Sequence, residues 1–302
     1  MQAPLRLTIL SHSDTYYSTR RLQEAATAQG LLVSRVDPVR VVLRAHPTPA
    51  IFEDALEIPP PDILLPRIGA SLVHWSTQLV DAWRARGVLS PLTGRAIATA
   101  ADKLATAVAL SGAGLRTVPT VALREPFHAS QDLLSLFGTD HSGSWVLKRT
   151  HGTGGQAVAL APDDASAVSF AGTLVAERTI ALVQPFVKTV PTRDIRIIMA
   201  GYEPLAACFR VAAEGEFRAN VHRGARPVAA TEADLPEGTF NLAVAAARAL
   251  ELPFGGINII ETPDGPAILE VNASPGFQGI EEAHGWDVAG AFISRLVASA
   301  AR

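Results

Sequence analysis

The chain has 302 residues, 48% of them hydrophobic and 18% charged, with a formal net charge of −3. That composition supports sizeable cores over two or three domains and excludes a mostly disordered chain. The near-balanced charge gives no global case for nucleic acid or a membrane surface, and no run reaches the ~18–20 apolar residues of a spanning helix.

A single cysteine, Cys208, excludes a disulfide framework and a cysteine zinc site, and its apolar setting reads as packing. The opening MQAPLRLTIL is too short an apolar run for a signal peptide, so a cytoplasmic protein is expected. Of 26 basic residues only three are lysines, Lys103, Lys148 and Lys188. In a chain that uses arginine for ordinary surface charge, each lysine invites a reason, and a compact ammonium is a common point-charge partner for phosphate.

In chain order, residues 5–10 read as a strand, 20–29 as a helix stopped by Gly30, and 31–36 as a second strand. Strand, helix and strand at these spacings predict a parallel α/β layer. A proline-rich connector over 47–61 precedes a third strand at 63–65, and 72–86 is an amphipathic helix. A boundary falls at 91–94. Residues 95–111 form one alanine-rich helical run, 117–123 an edge strand, and 130–137 a short helix. Strands at 145–148 and 157–160 flank the glycine-rich HGTGG, with a helix opening at Pro162 and a strand at 180–187. A hairpin turning at Gly201 joins 194–199 to 204–211. A helix at 239–250, strands at 257–262 and 267–272, and an amphipathic helix at 287–300 complete the chain. The expected division is 1–93, 94–185 and 186–302.

The segment PAILEVNASPGFQGIE, 266–281, carries the strongest chemical signal. Glu270 and Asn272 lie two apart on a strand and share a face, offering hard oxygen ligands of the kind Mg²⁺ takes beside nucleotide phosphates. In isolation the pair reads as a solvated strand end. Pro263-Asp264-Gly265 suits a three-residue hairpin loop, and that register sets Asn258 opposite Glu270, with Ile257, Ile259, Leu269 and Val271 on the core face. A two-residue loop would shift the register and weaken the site. The glycine loop Gly152, Thr153, Gly154 and Gly155, just after Lys148, lets backbone amides approach phosphate oxygens, yet a mobile turn has the same composition. Asp194 and Arg196 share a strand face. Arg196, Arg210 and Arg218 lie in or beside strand patterns where guanidinium groups need anionic partners, whereas Arg223 and Arg226 read as solvated. His12, His74 and His284 lack ligand spacing.

These residues together resemble a known family. Asp102-Lys103, Val146-Leu147-Lys148 with its glycine loop, DIR at 194–196, EGEFRANVHRG at 214–224 and EVNASPGFQGIE at 270–281 follow one another as in the ATP-grasp superfamily. YSTRRLQEAA at 17–26 and PRIGAS at 66–71 extend the likeness to the RimK-type ligases, which add glutamate to the C-terminus of a small-subunit ribosomal protein. The resemblance implies an ATP-grasp fold, α/β overall with α+β central and C-terminal parts, behind an N-terminal parallel α/β pre-ATP-grasp domain. It implies ATP between the central and C-terminal domains, with Lys103 and Lys148 on phosphates and the glycine loop closing over them. Gln184, Pro185, Phe186 and Val187 would form the hinge beside adenine. Asp194, Arg196, Arg218 and Asn220 match nucleotide or substrate positions, and Arg210 a phosphate-binding arginine. Asn258, Glu270 and Asn272 match ligands for a pair of Mg²⁺ ions, with Mn²⁺ as a substitute.

The implied reaction is carboxylate–amine ligation through an acyl phosphate held by arginines, Arg210, Arg196 and Arg218 among them. The partners are an amino acid, glutamate by default, and a carboxylate acceptor. A homodimer or homotetramer is implied by likeness alone. Alternatives are a carrier-protein-dependent ligase of lysine or arginine biosynthesis, or a nucleotide-binding protein without catalysis. Three positions depart from the pattern. Asn258 stands for an aspartate, Pro185 for a glutamate, and Ala157 for a glycine.

Overall fold

A computed structural model describes residues 3–125, 136–137, 143–152 and 158–300 of the chain. Strand β1 (Arg6–Leu10) buries Leu7, Ile9 and Leu10 completely, and helix α1 (Tyr17–Ala28) returns the chain to β2 (Leu32–Val36). The helix stops where Gly30 turns to φ +81°. Gly30 N–H bonds the Thr27 carbonyl at 3.0 Å and Leu31 N–H the Ala26 carbonyl at 3.1 Å, a Schellman closure. A helical crossover makes β1 and β2 parallel, as the spacing predicts. The proline-rich connector is more structured than expected. It folds as an antiparallel sheet of β3 (Val42–Arg44), β4 (Ala50–Glu53) and β5 (Leu56–Glu57). Its tight turn uses Asp54 and Ala55 at φ 49° and 63°, a mirror-image turn without the glycine that usually announces it. Strand β6 (Ile63–Pro66) pairs parallel with β1, giving the order β2-β1-β6.

Helix α2 (Val73–Arg84) leads to a second departure from expectation. The run at 95–111 is two helices, α3 (Gly94–Ala101) and α4 (Lys103–Gly112). Asp102 breaks it: its backbone is extended, and its carboxylate accepts from Leu104 N–H at 2.8 Å and Ala105 N–H at 3.1 Å. An aspartate satisfying orphan N–H groups is a favoured cap, so the break was legible. Ala96, Ile97, Ala100 and Leu110 of these helices share one core with Ile195, Ile257 and Val271 of the C-terminal sheet.

Strand β7 (Val121–Leu123) is an edge strand, and Pro119 lies just before it. Strands β8 (Trp145–Arg149) and β9 (Val158–Ala161), helix α5 (Asp164–Ala176) and strand β10 (Ala181–Pro185) complete a small antiparallel layer of order β7-β10-β8-β9. It has its own core of Trp145, Leu147, Ala167 and Val183. The helix expected at 130–137 lies largely outside the described residues.

The larger sheet contains β11 (Arg193–Ala200), β12 (Glu203–Val211), β13 (Arg226–Ala230), β14 (Phe254–Thr262) and β15 (Gly265–Asn272), in the order β13-β12-β11-β14-β15. Helix α6 (Thr239–Ala249) covers one face with Ala243, Ala246 and Ala247 fully buried. The other face packs on helix α8 (Val288–Ala300) and α1, with α7 (Gln278–His284) beside β13. Strand β13 and helix α7 have no counterpart in the sequence reading.

Candidate active site

The β14–β15 hairpin builds the patch around Glu270, by a route the sequence did not predict. Thr262 pairs with Gly265, so the loop has two residues, Pro263 and Asp264. Continued inward, that register would set Ile259 against Ile268 and misalign the polar residues. A bulge between Asn258 and Ile259 inserts Leu269 as the extra residue and restores Asn258 opposite Glu270. The bulge also corrects one face: Leu269, expected in the core, lines the cleft instead, and Ile268 takes the core position.

Asn258 is 1% exposed and donates through Nδ2 to Glu270 Oε2 at 3.4 Å. Its Oδ1 is buried with no hydrogen-bond partner, as is Asn272 Nδ2. Buried polar atoms are rarely orphaned, and an amide oxygen beside a carboxylate has the chemistry of a hard-cation ligand set. Gly256 makes room for this arrangement, because a Cβ there would meet Pro275 Cβ at 2.7 Å and Arg196 Nη1 at 2.9 Å. Gly256→Ala is expected to cost about 1–3 kcal/mol by overpacking and to displace Arg196. A thermal melt together with nucleotide titration checks it, and an unchanged melt would remove the packing argument.

The first cleft, about 970 Å³, runs between the small layer and the larger sheet. Lys103 opens α4. Its backbone N–H bonds the Thr150 carbonyl at 2.9 Å, and its Nζ donates to the Gly152 carbonyl at 2.8 Å, 3.7 Å from Glu270 Oε1. Lys148 lines the same cleft from β8. Burial pushes its ammonium down to about 8, with Glu270 and Asp194 raising it and Lys103 lowering it. Lys188 is exposed and lines neither cleft. Gly152 lines the first cleft, while Thr153, Gly154, Gly155 and Ala157 lie outside the described residues.

At the other end, Gln184 is buried and donates to Thr120 Oγ1 at 2.7 Å, and Pro185, Phe186 and Val187 complete that wall of the cleft. Phe186 meets Phe217 edge-to-face at 6.2 Å. Such an apolar slot beside ammonium groups fits a flat base joined to phosphates. Phe217, Thr120 and Leu269 were not foreseen. Phe217 was within reach, as an aromatic in FRAN beside Arg218, but its partner lies 31 residues upstream, at Phe186.

Two arginines are already paired. Arg210 and Asp194, both 5% exposed, form a two-pronged bridge at 2.7 and 2.5 Å. Arg218 is held by Glu216 at 2.9 and 2.8 Å and also reaches the Val158 carbonyl of the small layer at 3.3 Å. The Arg218 guanidinium holds the Glu216 carboxyl down at about 2. Arg196 lines a second, larger cleft of about 2190 Å³, bordered by the start of α1 and the loop after β6. Asn272 and Arg223 face that cleft, Asn258 and Asp194 the first, while Glu270, Arg210 and Asn220 border both. Arg226 is exposed, as expected. Cys208 is 2% exposed, and burial pushes its thiol up to about 11, so it packs. The two clefts therefore meet at one carboxylate. No cluster of three His, Cys, Asp or Glu suited to a metal occurs among the described residues, so any cation here relies on amides beside Glu270.

Comparison with known proteins agrees with this geometry. Residues 100–296 match the RimK-like ATP-grasp domain and residues 5–97 the RimK PreATP-grasp domain. A probable alpha-L-glutamate ligase of Thioalkalivibrio sulfidiphilus is 36% identical over 293 residues, 96% of this chain and 94% of that protein. A ribosomal protein bS6–L-glutamate ligase of Escherichia fergusonii is 34% identical over 290 residues, again 96% and 94%. Among solved structures, the ATP-grasp ligase PsnB with its minimal precursor superposes with a TM-score of 0.74 at 18% identity, covering 98% of this chain and 99% of that one. A RimK domain protein from Sphaerobacter thermophilus gives 0.70 at 21%, covering 96% and 98%. The chain belongs to the RimK-like ATP-grasp family and is an ATP-dependent ligase that forms amide bonds.

Proposed function

We propose that the protein joins L-glutamate to the terminal carboxylate of a protein or peptide tail, with ATP in the first cleft and the carbon substrates in the second. The observation that carries the reading is the meeting of both clefts at Glu270, Arg210 and Asn220. A phosphoryl group on one side and a carboxylate on the other would face each other there. The glutamate ligases among the relatives support the amino acid. In this reading residues 1–93 serve the substrate side, 94–185 the nucleotide and 186–302 the metal, although α3 and α4 pack with the last of these.

Family membership brings Mg²⁺ with ATP, and the residues fit it. Asn258 Oδ1 lacks a partner, Glu270 supplies charge, and Asn272 lies on its other side, so a pair of ions flanking Glu270 is the arrangement proposed, with Mn²⁺ as a substitute. When bound, Mg²⁺ neutralises phosphate charge. The chain's own groups do the rest. Lys103 and Lys148 hold phosphate oxygens, and the apolar slot orients the base. A substrate carboxylate oxygen attacks the γ-phosphorus and ADP leaves. An amine then attacks the acyl carbon, loses its proton, and expels inorganic phosphate. Arg210, kept rigid by Asp194, and Arg196 face the charge that develops, so positioning and electrostatics suffice without a protein nucleophile. Cytoplasmic work is proposed from the single buried cysteine and the use of ATP; no helix among the described residues is long and apolar enough to cross a membrane. A homodimer or homotetramer is the proposed assembly by likeness to the family. Phosphate release with product mass, across paired amino acids and peptide tails, tests the reading. Release requiring both substrates is expected; release with ATP alone would contradict it.

Asn258 leaves the site one negative charge short of the family pattern. Asn258→Asp is expected to strengthen Mg²⁺ binding by about tenfold, because a buried carboxylate replaces an amide at a cation site. Without metal the same variant melts earlier, since two carboxylates then face each other. A Mg²⁺ titration of turnover beside a metal-free melt checks both signs; weaker Mg²⁺ binding would place the ion elsewhere.

Lys148 sets a pH dependence. Its folded value of about 8 lies below its ordinary 10.5, so between these the unfolded chain holds more protons. The free protein's stability contribution from Lys148 is therefore lowest below about 8 and rises with pH across that window. Nucleotide affinity runs the opposite way, falling towards ~tenfold per pH unit above 8 as the ammonium is lost. Metal-free ATP titrations from pH 7 to 9 read it, and Lys148→Arg should flatten the curve.

A further inference from the structure

The second cleft carries more positive charge than the phosphoryl chemistry uses. Among the described residues, Arg67, Arg196 and Arg210 line it with one carboxylate, Glu270. Asp194 neutralises Arg210, and Arg196 lies where Glu270 and Asp194 act on it. Arg67 is different. It follows β6 in the N-terminal part and reaches across the cleft, where its Nη2 donates to the Pro275 carbonyl at 2.7 Å. Its Nε is buried with no hydrogen-bond partner, and no carboxylate acts on it among the described residues. Burial alone pushes its guanidinium down to about 10.

Arg67 is half-buried and its guanidinium is held by a carbonyl with no carboxylate beside it, so an arriving anion gains a charge-assisted bond there. The backbone around Arg67 is fixed beforehand. Arg67 N–H bonds the Leu10 carbonyl at 2.9 Å, and Ile68 N–H donates to Ser274 Oγ at 2.9 Å. The guanidinium thus lines the second cleft, as Glu270 does, on the substrate side of the two-cleft junction. The reacting carboxylate belongs near Glu270 and Arg210, so Arg67 is left for a different one. A guanidinium fork matches a carboxylate in two-pronged geometry.

We propose that Arg67 is a specificity-determining residue that binds a non-reacting carboxylate of the substrate and so selects acidic over neutral substrates. That carboxylate belongs either to the side chain of the amino acid or to the residue preceding the acceptor terminus. The inference rests on the proposed ligase reading for its substrates, but its test does not require turnover.

Calorimetry on the full-length protein compares two pairs: L-glutamate with L-glutamine, and a peptide ending Glu-Glu with one ending Gln-Glu. The wild type is expected to favour the acidic member of at least one pair by roughly 10- to 100-fold, the value of one or two charge-assisted bonds. Arg67→Gln should abolish that preference while leaving the neutral member and metal-free ATP unchanged, and Arg67→Lys should retain part of it. The pair that responds identifies the source of the carboxylate. The proposal is overturned if neither pair shows a preference, if the preference survives Arg67→Gln, or if both members weaken equally, the mark of a structural role through Pro275 or of a contact to a carboxylate that both members share. Should Arg67→Gln not fold, Arg67→Lys decides: an undiminished preference counts against the proposal. Arg67-dependent binding without phosphate release would contradict the ligase reading alone.

Discussion

Glu270→Gln is expected to lower kcat/KM for ligation by ~10³-fold or more, the scale of losing preorganised electrostatic and metal stabilisation of a phosphoryl transition state. Glu270 is the one carboxylate among the three proposed metal positions, because Asn258 and Asn272 are amides. The substitution preserves shape and leaves an oxygen to accept from Asn258 Nδ2, now 3.4 Å from Glu270. It also removes the carboxylate 3.7 Å from Lys103. Metal-free ATP should therefore bind the variant as well as the wild type or better, since a negative charge leaves the phosphate wall. Mg²⁺ should cease to stimulate turnover in the accessible range. Calorimetry with and without Mg²⁺, beside steady-state rates, separates these effects. A variant with wild-type Mg²⁺ dependence would move the metal away from the β14–β15 pair.

Arg210→Met is expected to cost about 3–5 kcal/mol of stability as well as activity, because it strands a buried carboxylate. Asp194 and Arg210 are each only 5% exposed and joined at 2.7 and 2.5 Å, so neither retains water as an alternative partner. The double variant Asp194→Leu with Arg210→Met should recover most of that loss, since replacing a whole buried pair with apolar residues is often neutral or stabilising. It should recover no ligation, because the rigid guanidinium at the junction of the clefts is gone. Arg210→Lys keeps the charge but loses the fork, so its stability should fall between those of the wild type and Arg210→Met. Denaturant melts and phosphate release on the wild type, Arg210→Met, Asp194→Leu and the double variant form a cycle. Stability losses that simply add would contradict the pairing.

The contrast between local and distant contacts explains what was legible. Periodicity and stop signals placed the parallel N-terminal layer, the Gly201 hairpin and the faces of β11 correctly, because each depends on neighbours in sequence. The patch at Glu270 was reached through a three-residue loop and a regular ladder. The protein has a two-residue loop and a bulge at Leu269, and these two departures cancel at Asn258. Nothing in ILEVN announces a bulge, which leaves the adjacent Leu269 and Glu270 both lining the first cleft. Asp102 was readable as a cap and was passed over because alanine continued the helical pattern. The turn at Asp54 and Ala55 lacks the usual glycine, which hid the small sheet. Arg67 and Phe217 acquire meaning only from Pro275 and Phe186, contacts that a single sequence does not encode locally.

In the proposed reaction a carboxylate in the second cleft takes the γ-phosphoryl group from ATP in the first. Ligation with an acceptor in which both oxygens of the terminal carboxylate are a heavy isotope tests it directly. The two-cleft geometry predicts one labelled oxygen in each inorganic phosphate released, in equal amount with ADP and amide product. Unlabelled phosphate, or AMP in place of ADP, would contradict it.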